Sequence, residues 1–280
     1  VSLMRNYLLL KSSINFLKTC FLIFLTFFIF LFIPFNKSFG EENVFTINNI
    51  KVKGPIDVNF SREKYLNKAF SNSFKILMNK ILLTRDFKKI DNIELKKIKN
   101  LITKFQILEE SYKEDVYRAK IKISFNEDKI KSFLGKKNIS FSVSDNISAV
   151  FYPVFFVEDE LQSFDENFFY TQWQDIQIKN ELINFILPLE DLEDVSEIIK
   201  MKNNIENLNI DPLVNKYNEE NYVFALIENK NNNLKIYLKT NFKNNKLSKN
   251  FSYNIKDIKN ENELNEISKD LKLKITDLWK

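Results

Sequence analysis

Two hundred and eighty residues with no histidine, one cysteine and three glycines exclude more chemistry than they admit. Without imidazole there is no Ser-His or Cys-His nucleophile and no HExxH-type metal site, and glycines at 40, 54 and 135 stand too far apart to cradle a phosphate, so no cofactor is expected. The formal charge is +5, but four of the 42 cations (Arg5, Lys11, Lys18, Lys37) fall in the first forty residues, which hold no carboxylate; the other 38 face 37 carboxylates, and that balance lacks the cation surplus a nucleic-acid partner requires.

The chain opens like a secretory leader. Basic residues precede an apolar run over 20–35, and small residues Ser38 and Gly40 then stand at the −3 and −1 positions of a cleavage site before Glu41 and Glu42. Cleavage there predicts a periplasmic protein. The alternative is an inner-membrane anchor: positions 19–36 are 18 uncharged residues, just long enough to cross a bilayer. Cys20 lies inside the leader, so a chain cut after Gly40 has no thiol and must fold by packing alone. Apolar content of 44% is ample for that.

The stretch 44–53 reads as a strand ended by a turn at Gly54-Pro55. Ser61 is placed to cap a long helix with an inward stripe of Leu66, Ala69, Phe70, Phe74, Leu77 and Ile81. Asp91 and Glu94 form a capping-box pattern for a short helix carrying Leu95, Ile98, Leu101 and Ile102. A hairpin follows: Phe105 and Ile107, then Tyr117, Ala119, Ile121, Ile123 and Phe125 alternating with Arg118, Lys120, Lys122 and Ser124. A short helix over 128–134 closes a first α+β domain, residues 41–143.

The second domain, residues 144–280, opens on the continuous apolar run 149–157, suited to a strand covered on both faces. Pro153 cannot donate to a ladder, which predicts a bulge or a free edge there. Residues 158–174 read as a loop. Short helices are expected from Asp194, with Glu197 at the box position, and from Asp211, with Pro212 at the first helical site. An antiparallel meander over 222–227, 234–242 and 247–255 precedes a last helix begun by Asn260 and Glu263, with the stripe Leu264, Ile267, Leu271, Ile275 and Leu278. The fold class is α+β: a leader and two small domains, each an antiparallel or mixed sheet packed on helices.

Candidate functional residues are few. Phe164, Phe168, Phe169, Tyr170 and Trp173 cluster in the least regular segment. Left exposed they form an interaction surface; folded back they cover the strand 149–157. Carboxylates gather at Glu158, Asp159, Glu160, Asp165 and Glu166, and again at Glu190, Asp191, Glu193 and Asp194. Neither group has calcium-loop spacing, but a facing pair could act as acid and base. Lysine pairs such as Lys88-Lys89 and Lys136-Lys137 read as solvated faces with weak attraction to anionic surfaces.

Several of these features recur together. An Arg62 helix start with Ala69 and Phe70 on its buried face, a strand ending in Phe125, an apolar strand with an internal proline, and the segment 187–194 (LPLEDLED) ahead of Tyr217 resemble a proteobacterial exported family, domain of unknown function 2066. More distantly, the second half is similar to the N-terminal module of TolB-type periplasmic proteins. Where the family has Arg-Pro before the apolar strand, this chain has Asn146-Ile147-Ser148. The resemblance implies localisation and architecture and brings no activity. The expected function is a non-enzymatic binding or scaffold module, bound to an envelope protein or cell-wall component through a sheet edge or the 158–174 loop. Nucleic acid is excluded, and membrane contact is limited to the N-terminal segment before cleavage. The alternatives are a carboxylate-based hydrolase of envelope glycans, and a membrane-tethered structural protein.

Overall fold

The computed structural model describes residues 43–179 and 181–280; the leader reading falls outside them. Among the described residues no helix is long and apolar enough to cross a membrane. Residues 44–280 make one compact unit of α+β class, built on two sheets.

The first sheet has the order β1-β3-β2, from Thr46–Pro55, Val116–Phe125 and Ile102–Lys113. β1 runs on through the Gly54-Pro55 pair read as its end, and a bulge between Ile47 and Ile50 places Asn49 at φ 59°. β3 lies between two partners and alternates buried and half-exposed residues along its whole length, as its period predicts. Helix α1, Arg62–Ile81, starts where Ser61 Oγ accepts from the Lys64 amide and lays Ala69, Phe70, Phe74, Leu77 and Ile81 on this sheet. The capping box expected at Asp91 does not form. The short helix α2, Leu95–Leu101, begins after Glu94 without a side-chain cap, and Ile102 belongs to β2, not to the helix. Helix α3, Glu127–Gly135, is capped by Asn126, whose side chain accepts from Lys129 N.

The second sheet runs β5-β4-β7-β8-β9, with the short strand β6 also pairing β4. Its strands are β4 Ile147–Val157, β5 Glu160–Leu161, β6 Ile183–Ile186, β7 Tyr222–Lys230, β8 Asn233–Phe242 and β9 Asn245–Asn254. β4 is covered on both faces. Phe151 and Phe155 point into the core beneath the last helix α7, Glu261–Trp279, while Tyr152, Val154 and Phe156 point into a second core. That second core is closed by helix α5, Leu192–Met201, and helix α6, Asp211–Asn215.

Pro153 explains a break in the pairing. β6 meets β4 only over Ile147–Val150, and β5 only at Phe156 and Val157, so the proline's missing donor faces the gap between them. The buried side chain of Asn167 fills that gap, donating to the Pro153 carbonyl at 3.1 Å and accepting from Phe169 N at 3.0 Å.

Four two-residue turns (Glu158-Asp159, Glu114-Asp115, Asn231-Asn232, Lys243-Asn244) put both central residues at positive φ, the requirement of a type I′ hairpin, and none uses glycine. The stretch 158–174 is accordingly more ordered than a loop. It holds β5 and the single helical turn α4, Phe168–Thr171.

Candidate functional site

The order of the first sheet leaves β2 at an edge, with no strand paired to its outer side among the described residues. Edge strands are normally short or guarded by charge. β2 is twelve residues long and carries Phe105, Leu108 and Tyr112, 47%, 41% and 52% exposed. Two bulges, after Ile102 and after Ile107, bend it. A groove of about 490 Å³ runs beside it, lined by Phe70 of α1, Lys99 of α2 and Ile102 to Phe105 of β2 itself. Phe105 reaches into this groove and meets Phe70 edge-on, ring centres 5.2 Å apart.

The far end of the strand is held by a polar clamp. Glu110 accepts both Arg62 donors, Nε at 2.7 Å and the terminal nitrogen at 3.0 Å, and also the hydroxyls of Tyr117 at 2.7 Å and Tyr112 at 3.2 Å. The rings of Phe60, Tyr65, Tyr112 and Tyr117 pack together beside it, with centres 5.1–6.0 Å apart. Gly54 permits this packing, because a Cβ there would overlap the Tyr65 ring. The Arg62 bond first, then the Tyr117 hydroxyl, hold the Glu110 carboxyl down at about 2, and burial together with Glu110 pushes the Tyr117 phenol up. Glu110 is therefore an ionised fastener between the start of α1 and β2, with no proton to give at neutral pH.

A depressed carboxyl stabilises the fold above its unfolded pKa, and that contribution fades as pH falls from about 4.5 toward 2. Glu110→Gln should lower stability by no more than about 1 kcal/mol at pH 7, since water screens the half-exposed Arg62 pair, and by much less near pH 2. Urea melts at the two pH values check this, and an equal loss at both would dissociate Glu110 from the clamp.

Of the two readings of the aromatic cluster, the one found is folding back over β4, not an exposed surface. Phe164, Phe169 and Trp173 are buried, and Phe168 and Tyr170 half-buried. Trp173 stacks on Phe151 of β4 at 3.8 Å, and Tyr170 stacks on Phe164 at 4.4 Å while donating to the Pro188 carbonyl. The segment folds back because β4 is an apolar strand whose outer flank β5 and β6 cover only in part. Exposed apolar residues occur instead on β2, and separately at Leu189, Leu192 and Ile199 around α5.

Several carboxylates of the two groups are taken up by a cap, turns and ion pairs. Asp191, not Asp194, caps α5, accepting from Glu193 N at 2.9 Å. Lys216 bridges Asp191 and Asp194 at 2.8 and 2.6 Å, and Glu190 accepts from Phe164 N. In the first group Asp159 takes Lys202 and Lys230, and Glu158 accepts from Asn231 N in the neighbouring turn. Among the described residues no group of three metal-ligating side chains comes together.

Sequence reading missed Leu108, Glu110 and Tyr112. β2 shows no clean alternation, because bulges shift its phase and an edge strand buries few of its residues. No protein-family model matches this chain, and no curated protein matches it.

Proposed function

We propose that this chain is an exported, non-enzymatic binding module of the cell envelope, which takes up an extended segment of a partner protein along β2. The observation that carries this reading is the long, unpaired outer edge of β2 with Phe105, Leu108 and Tyr112 exposed on it. The second sheet's edge strand β9 keeps its Leu247, Phe251 and Tyr253 half-buried, whereas β2 exposes its apolar residues between Lys104 and Lys113. Strand addition draws affinity from main-chain hydrogen bonds and specificity from pockets for alternate side chains, here the groove beside Phe70 and Phe105. Export is supported by the leader pattern and accords with the exported family the sequence resembles. A glycan hydrolase has less support, since Asp159, Asp191 and Asp194 of the carboxylates it would use are committed to a cap and ion pairs. A tethered protein differs only in whether the leader is cut, which N-terminal sequencing decides: Glu41 as first residue removes the tether.

A photo-crosslinking residue at Leu108 should trap a discrete envelope protein in intact cells. The double substitution Phe105→Lys and Leu108→Lys, on exposed positions, should abolish the same adduct when the probe is moved to Thr103, at a temperature where circular dichroism shows the variant still folded. An adduct that survives both lysines, or no reproducible adduct at all, overturns strand addition.

A further inference from the structure

The first sheet has one face on α1 and one turned away, and its register decides which side chains share the open face, because directly paired residues point the same way. Thr46 Oγ1 donating to Ser124 Oγ at 3.1 Å marks that face. Lys51 and Lys53 of β1 stand on it, paired with Lys120 and Arg118 of β3. From β2 it receives Lys104, paired with Ser124, and Lys113, paired with Val116; Lys122 of β3 completes the set. Seven cations thus lie on one three-stranded face. Two carboxylates answer them, Glu109 at 3.1 Å from Lys120 and Glu114 at 4.0 Å from Arg118. Lys51, Lys53, Lys104, Lys113 and Lys122 have no ion-pair partner among the described residues. A chain whose charge is nearly balanced beyond its leader has gathered cations on one surface.

The pairing has a cost. Lys51 directly opposite Lys120, and Lys53 opposite Arg118, are like-charge cross-strand pairs, which destabilise a sheet, and neither Lys51 nor Lys53 has an ion-pair partner among the described residues. We propose that the open face of β1-β3-β2 is an electrostatic docking surface for an anionic lipid bilayer. Strands spaced about 4.8 Å apart array the charges as a grid, and six of the seven are lysines, flexible point charges suited to many headgroups at once. Single-stranded nucleic acid fits less well, since the face holds no aromatic ring on which a base could stack. A strand added at the outer edge of β2 would leave this face free, so the inference goes beyond the function proposed above and does not depend on it.

The test uses the full chain and sedimentation with vesicles of phosphatidylcholine alone or mixed with phosphatidylglycerol. The N-terminal segment with its four cations is common to the native chain and every variant, so the readout is the change in the ratio of anionic to zwitterionic binding on substitution. Each cation near an anionic surface is worth about fivefold in partitioning. The quadruple variant Lys51→Gln, Lys53→Gln, Lys104→Gln, Lys122→Gln should therefore lose at least about a hundredfold of that ratio. A control variant, Lys235→Gln, Lys249→Gln, Lys256→Gln, Lys259→Gln, removes the same charge from the second sheet and its flanking loop and should keep most of it. Lys51→Gln with Lys53→Gln should also raise the melting temperature, by relieving the like-charge pairs. Equal loss in both quadruple variants, no preference for anionic lipid in the native chain, displacement from vesicles by an oligonucleotide at matched charge, or a lowered melting temperature would each overturn the proposal.

Discussion

Replacing Lys272 with methionine should destabilise the protein by about 3 kcal/mol, a fall of roughly 6–12 °C in melting temperature for a unit of this size. The lysine sits on the buried face of α7 with its side chain 4% exposed, among Leu264, Ile267, Ser268, Leu271, Ile275 and Thr276. Its ammonium donates to the Ile176 carbonyl at 2.6 Å, the Glu181 carboxylate at 2.9 Å and the Trp173 carbonyl at 3.4 Å. It also lies 5.6 Å from the Trp173 ring and 5.8 Å from that of Phe185. One side chain of the last helix thereby holds a segment some hundred residues earlier in sequence. Methionine keeps the length of the stem and removes the donors, leaving two buried carbonyls unpaired. Glu181→Gln is the contrast. Glu181 is 48% exposed, so its loss should cost under about 1 kcal/mol. Urea unfolding of both variants measures the difference, and similar midpoints would mean that water substitutes for the ammonium.

Sequence periodicity recovered the elements whose packing is local. The stripes of α1 and α7 and the alternation of β3 each reflect one face set against one core, and the caps Ser61 and Asn260 stand where read. What stayed hidden depends on pairing between distant segments. β6 is four residues long and gains strand character only by lying parallel to β4. The I′ turns carry no Asn-Gly or Asp-Gly, because asparagine, aspartate, glutamate and lysine take the left-handed positions in this glycine-poor chain. The candidate edge depends on sheet order: nothing in residues 102–113 says that β3, and not β2, takes the central place. The basic face was half legible. Arg118, Lys120 and Lys122 announced a wet side of β3, but Lys51, Lys53, Lys104 and Lys113 joined it only through the register.

Trp173→Ala should cost about 3–5 kcal/mol, and this separates packing from recognition most sharply. The ring is buried between Phe151, stacked at 3.8 Å and 21°, and Phe185, edge-on at 5.4 Å. Alanine leaves a cavity that the two rings cannot close, since β4 fixes one of them and β6 the other. Because the Lys272 ammonium faces the same indole and bonds its carbonyl, the two substitutions should not add. The double variant should fall short of the sum by at least about 0.5 kcal/mol. A cluster built to receive a partner would behave in the opposite way, with truncation sparing stability and abolishing the complex. Below its lowered melting temperature, the Trp173→Ala protein should still give the Leu108 crosslink, since Trp173 packs in the core of the second sheet and β2 is an edge of the first. Loss of the adduct with stability unchanged would return the binding surface to the aromatic segment and remove it from β2.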